Sequence, residues 1–224
     1  YGALLNTNGT NDNANTAVGF QSGANVTTGI ENTLIGEHSG LYITTGNYNT
    51  ALGNKSMGTI VGGLRNTAIG YGAMKDTDSG TTVDDSDDNT FVGYTAGGGA
   101  WVNEDISKIT AIGSHVMRGA LETEASGTVA LGYSALTALT EGQQNTAVGY
   151  QSMLETTQGD YNTTLGYNTM YRDAGLANTG NTFIGANAGS GDWNTTACTS
   201  NTGVGAGVMQ SAMNGATNNT AVGL

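Results

Sequence analysis

The chain has 224 residues, 37 of them Gly and none Pro, with 37% hydrophobic and only 11% charged; many of the hydrophobics are Ala, so one thick core is excluded and a thin core renewed along the chain is expected. Six Lys+Arg against 18 Asp+Glu give a net charge of −12, too acidic to assemble a patch for a phosphate backbone, which sets nucleic acid aside as a partner. Cys198 has no second Cys to bridge to, and no apolar run approaches the roughly 20 residues of a membrane-spanning helix, so no membrane insertion is expected of this segment.

From Asn15 onward one phrase recurs: NTAVGFQSG at 15, NTALGNKSM at 49, NTAIGYGAM at 66, NTAVGYQSM at 145. Further copies begin at Asn32, Asn89, Ile109, Thr128, Asn162, Asn181, Asn201 and Asn219, which makes twelve units. The shortest spacing, as from Asn15 to Asn32 or Asn49 to Asn66, recurs most often; the longest runs from Asn66 to Asn89, and the extra residues always fall after the phrase. A helical apolar period does not persist, and Gly returns in every unit. The pattern therefore predicts an all-β fold: a repetitive parallel β-solenoid or β-roll of about twelve coils, one continuous array over residues 1–224.

Within each unit the columns carry separate expectations. The first position, mostly Asn, predicts a ladder of side-chain amides stacked coil on coil. The third is mostly Ala and the fourth always Val, Ile or Leu; because strand side chains alternate, they face opposite ways. The larger column, Val18 through Val222, is read as core, and the Ala column (Ala17, Ala51, Ala147) as a face closely approached by another copy of the chain, in a homotrimer. The fifth position is Gly in all twelve copies, as a corner needing positive φ or close approach requires. The eighth and ninth positions read as a second short strand. Half of the sixth positions are aromatic, Tyr133 and Tyr150 among them, and such a column either stabilises stacked coils or offers a sugar-binding strip.

The longer spacers hold the candidate sites. Asp76, Asp78, Asp84 and Asp85 lie in an acidic insertion between the fourth and fifth units, where Asp76 and Asp78 are spaced like the opening of a Ca²⁺ loop, with a solvated acidic loop as the alternative; no other cofactor is expected. Trp101, Trp193 and the pair Tyr171 and Arg172 sit in other long spacers and are the candidate ligand contacts, since loops on a rigid scaffold carry recognition; the alternative is that each ring covers its own loop. His38 and His115 share the seventh position and read as surface residues, and no motif with a catalytic mechanism is present, so the chain is read as non-enzymatic.

The string Ala147-Val148-Gly149-Tyr150-Gln151-Ser152 resembles the head repeat of YadA-like trimeric autotransporter adhesins. The longer NTALG-x-x-SM phrase, followed by Thr44-Thr45-Gly46-type loops, resembles repeats of phage tail fibres. This resemblance implies a homotrimeric, virion-borne tail fibre that binds a host-surface glycan or protein receptor, with the head of a bacterial cell-surface adhesin as runner-up. Tyr1-Gly2-Ala3-Leu4 matches the sixth to ninth positions of a unit, so the chain reads as a slice of a longer fibre. An ice-binding solenoid is the third reading, weighed down by the expectation that the regular Thr16, Thr33, Thr50 and Thr67 share the buried side of the strand.

Overall fold

The computed structural model describes residues 2–5, 13–75, 86–101, 106–122, 125–172, 175–193, 195–211 and 213–224. Every phrase forms one three-residue strand: β1 (Thr16–Val18), β2 (Thr33–Ile35), β3 (Thr50–Leu52), β4 (Thr67–Ile69), β5 (Thr90–Val92), β6 (Thr110–Ile112), β7 (Val129–Leu131), β8 (Thr146–Val148), β9 (Thr163–Leu165), β10 (Thr182–Ile184), β11 (Thr202–Val204) and β12 (Thr220–Val222). The strands form one parallel twelve-stranded sheet in sequence order. β-Branched Thr, Val and Ile suit the extended backbone, and the Gly that follows ends it.

Register follows the phrase and ignores the spacer. β3 and β4, whose phrases begin at Asn49 and Asn66, pair Ala51 with Ala68. β4 and β5 are separated by the longest spacer in the chain, yet they pair Ala68 with Phe91 in the same way. The length of the spacer therefore does not shift the ladder.

Two features make each corner. The fifth-position Gly has φ between 127° and 146° in all twelve units, a region closed to residues with a Cβ. A Cβ on Gly19 would also lie 2.5 Å from the carbonyl oxygen of Gly36 in the next coil. Beyond this corner the expected second strand is absent: the sixth to ninth positions form a turn, because the seventh and ninth residues adopt left-handed conformations even when they are not Gly. Lys55 (φ 58°) and Met57 (φ 48°) are one such pair. The turn remains tied into the stack, since His38 N–H donates to Phe20 O at 2.9 Å and Gly40 N–H to Ser56 O at 2.9 Å.

The core lies on the side of the sheet opposite to the expected one. Third-position Leu34, Ala51, Ala68, Phe91, Ala130 and Phe183 are completely buried, whereas fourth-position Val18 is 58% exposed and Leu131 43% exposed. A coil this short encloses too narrow a space for two large columns, and the third position faces the turn across that space. The two positions divide the volume between them. Ala51, Ala68, Ala111, Ala130 and Ala147 share their coils with buried Met57, Met74, Met117, Leu136 and Met153. Leu34, Phe91 and Phe183 share theirs with Gly40, Gly97 and Gly189; a Cβ on Gly40 would stand 2.7 Å from Leu34 Cδ2, and one on Gly189 2.9 Å from Phe183 Cγ. The first coil has Ala17 with Gly23, and there Leu34 leans in from the next coil, its Cδ1 2.7 Å from where a Cβ on Gly23 would be.

The expected amide ladder is present. Asn49 Oδ1 accepts from Asn66 N–H at 3.0 Å and from Asn66 Nδ2 at 3.1 Å, and Asn49 Nδ2 donates to Asn32 Oδ1 at 3.1 Å and Gly63 O at 2.6 Å. The same pattern repeats from Asn145 to Asn219. It is interrupted over two coils: Ile109 N–H still donates to Asn89 Oδ1 at 3.0 Å, and Thr128 Oγ1 accepts from Asn145 N–H at 3.4 Å. From Asn32 to Asn201 the amides of the column are buried, so each rung there satisfies groups that would otherwise cost about 1–3 kcal/mol apiece.

Candidate binding surfaces

The outer side of the sheet carries the first surface. Since third-position side chains point inward, the second and fourth point outward, and eleven of the twelve strands begin with Thr, β7 beginning with Val129. Beside the Thr column runs an unbroken file of Val, Ile and Leu, from Val18 to Val222, part-exposed to exposed throughout. This overturns the expectation that the Ala column meets another copy: Ala51 and Ala147 face the interior of their own coil. It also overturns the inward placement of Thr16, Thr33, Thr50 and Thr67. With strands about 4.8 Å apart, the face is about 55 Å long and about 10 Å wide.

Around the corner Gly lies the second surface. Tyr71 and Tyr94 stack with centroids 5.4 Å apart and planes 15° from parallel. Tyr133, Tyr150 and Tyr167 continue at 5.3 and 5.4 Å, with interplanar angles of 13° and 11°. The stripe looks broken in the sequence because the sixth position of the intervening coil is Ser114. His115, one residue later, closes the gap edge-on, 5.3 Å from Tyr94 and 5.8 Å from Tyr133. Its Nδ1 lies 2.9 Å from Thr95 Oγ1 and 3.3 Å from Arg118 Nη1. Six rings thus form one continuous ladder over six coils. His38 makes a separate, smaller contact with Phe20, edge-on at 5.5 Å, and is 2.9 Å from Gln21 Oε1.

The spacer residues resolve into different fates. Trp101 and Trp193 are fully buried, packed on Phe91 at 5.9 Å and Phe183 at 5.4 Å, so their rings close the core and are not exposed ligand contacts. Both fall in coils whose third residue is Phe and ninth is Gly; each completes a wider layer. Arg172 stays exposed, with its guanidinium 5.8 Å from the Tyr171 ring centroid and 3.2 Å from Asp192 Oδ1. The hydrogen bond to Asp192, then that carboxylate's charge, raises its pKa. Trp193 N–H donates to Arg172 O at 3.1 Å, so the backbone brings these candidates together while the indole turns inward.

Asp76, Asp78, Asp84 and Asp85 lie outside the described residues, and among the described residues no cluster of three metal-ligating side chains occurs. The base of that acidic insertion is described: Arg65 Nε donates to Asp88 Oδ1 at 2.6 Å and Nη2 to Asp88 Oδ2 at 3.0 Å, while Leu64 N–H donates to Asp87 Oδ1 at 2.7 Å. The Arg65 hydrogen bond is the main cause holding the Asp88 carboxyl below its ordinary range. No helix among the described residues is long and apolar enough to cross a membrane.

Sequence reading missed the closed aromatic ladder and the apolar outer face. A signal for the face was available: large third residues accompany Gly at the ninth position and Ala accompanies Met, which marks those two as facing neighbours. Comparison of the chain with family models, curated proteins and solved structures gave no match.

Proposed function

We propose that this chain is a non-enzymatic segment of a homotrimeric fibre of the phage tail-fibre kind, one that both builds the shaft and meets a host-surface receptor. The observation that carries the reading is the aliphatic file on the outer side of the sheet. The outer face of about 550 Å², from strands about 4.8 Å apart and about 3.3 Å per residue, is shared between this file and the Thr column, so the file is a continuous apolar strip of about 275 Å², close to the size at which exposed patches are commonly functional. Three copies packed face to face about a common axis would remove all three strips from water, and straight in-register columns suit such packing. The fibre would be virion-borne. A bacterial surface adhesin would use the same physics, and the sequence flanking the chain distinguishes the two.

Light scattering tests the assembly. The expected mass is three times the 22.6 kDa of the chain, falling to the monomer in Leu131→Asp, where each copy would place a carboxylate in the apolar centre. A monomeric wild-type chain at micromolar concentration would sink the reading.

The Thr column favours a second reading. Regular hydroxyls on a flat, outward-facing sheet are what an ice-binding surface offers, and this needs the face free of other copies. Thermal hysteresis from a monomeric sample would favour it over the fibre.

A further inference from the structure

We propose that the ladder from Tyr71 to Tyr167 is a binding track for an extended, neutral polysaccharide whose sugars are joined through opposite equatorial positions, lying along the line of ring centres at one sugar per coil. This deepens the receptor-binding half of the fibre reading and rests on it. Three observations lead there.

The first is geometric. Stacked centroids are 5.3–5.4 Å apart with planes 11–15° from parallel, whereas carbons in face contact sit about 3.5–4.0 Å apart. The rings are therefore slipped like roof tiles, and each leaves part of one face uncovered by the next; Tyr150 is 45% exposed. Open ring faces take the axial C–H faces of pyranoses, and the hydroxyls take sugar oxygens.

The second is metric. Along the line of ring centres the repeat of 5.3–5.4 Å is close to the advance per sugar in a diequatorially 1,4-linked chain, so sugars that follow that line, inclined to the coil axis by the slip of the rings, meet successive rings in phase. A polymer with axial linkages coils away from a straight track and loses that phase.

The third is charge. Over these six coils the sixth and seventh positions read Tyr71-Gly72, Tyr94-Thr95, Ser114-His115, Tyr133-Ser134, Tyr150-Gln151 and Tyr167-Asn168. None is an acid, Lys or Arg, in a chain of net charge −12; the cation that touches the ladder is Arg118, at its single His rung, 3.3 Å from His115 Nδ1. The strip complements an uncharged polymer bearing hydroxyl and amide groups.

The test is calorimetric titration of the unmodified chain with 1,4-β-linked glucose and N-acetylglucosamine oligomers of two to eight sugars, with the oligomeric mass measured on the same sample. The expected result is a Kd that falls with each added sugar up to the six coils of the ladder and then levels, in one series or both. 1,4-α-Linked glucose oligomers should show no such trend. Tyr150→Ala should weaken the hexamer about tenfold, the larger end of an aromatic contact, while Tyr161→Ala, an exposed ring outside the ladder, leaves it unchanged. Absence of heat with both β-linked series, affinity independent of length, or equal loss in Tyr161→Ala would overturn the proposal. Because the length series uses the native chain, a misfolded Tyr150→Ala does not blunt it. A monomeric mass with intact length-dependent binding would refute the fibre reading and leave the track standing.

Discussion

If the third and ninth positions divide one fixed volume, their substitutions must compensate, and the coil containing Phe91 and Gly97 offers the test. Phe91→Ala empties a fully buried ring site beside Trp101, and large-to-small changes of this kind cost about 3–5 kcal/mol. Gly97→Met alone drives a side chain into the Phe91 ring, which a Cβ at that position would already strike; overpacking costs about 1–3 kcal/mol. Backbone strain of about 1–2 kcal/mol at this left-handed position enters the single and the double substitution alike and cancels from their coupling; Met57, Met117 and Met153 hold φ of 48°, 46° and 53° at the same place in their coils, against 62° for Gly97. The double substitution rebuilds the Ala51 and Met57 arrangement, leaving a residual gap where Phe91 met Trp101. Apart from that common strain, the double variant is expected to lose about 2 kcal/mol, against about 4–8 for the sum, so the coupling energy is at least about 2 kcal/mol in the compensating direction. Stacked repeats need not unfold in one step, so the assay is amide hydrogen exchange at Thr90 and Ala111 backbone groups. Additive effects of the two substitutions would refute the shared-volume account.

Two further predictions concern the surface of the stack. Lys55→Gly should stabilise its coil by about 1 kcal/mol, because φ of 58° costs a side-chain-bearing residue about 1–2 kcal/mol and Gly almost nothing; urea titration reads the gain, and a loss would mean that Lys55 contributes a contact larger than its strain. Asp88 titrates below its ordinary value of 3.8 because Arg65 binds the carboxylate, so its contribution is fully present above about pH 4 and is lost as pH falls through the lowered folded value. Asp88→Asn should flatten the acid limb of the stability curve below about pH 4, with the difference shrinking in high salt because the pair is exposed; an unchanged acid limb would show that the clamp at the base of the insertion contributes nothing.

Periodicity made the number of coils, their order and their register legible, because Asn and Gly each answer one geometric need that recurs at the same place: an amide rung and a corner. Facing direction was harder. Val148 is larger than Ala147, and size suggests burial, yet in a coil this narrow the strand supplies the small partner and Met153 across the lumen supplies the bulk. For Trp101 and Trp193 two readings stood open, ligand contact and a ring covering its own loop; both rings are buried, and the coincidence that both follow a Phe in the core column was the signal between the two. The left-handed turn could not be read from Gln151 or Lys55, residues with no preference for it; Gly72 and Gly207 in the same column were the available hint. The ladder through His115 depended on a one-residue offset that column-by-column alignment hides.

The strict sequence order of the sheet also fixes how the rod responds to force. Strands run across the long axis and their hydrogen bonds point along it, from coil to coil, as Thr50 N–H to Asn66 O and Gly53 N–H to Ile35 O do. A pull on the two ends therefore loads the coils in series rather than in shear, and the weakest coil opens first. Each opened coil releases up to about 60 Å of chain, so a single stack would yield in steps under tension while resisting compression. Lateral neighbours would be the main source of tensile strength.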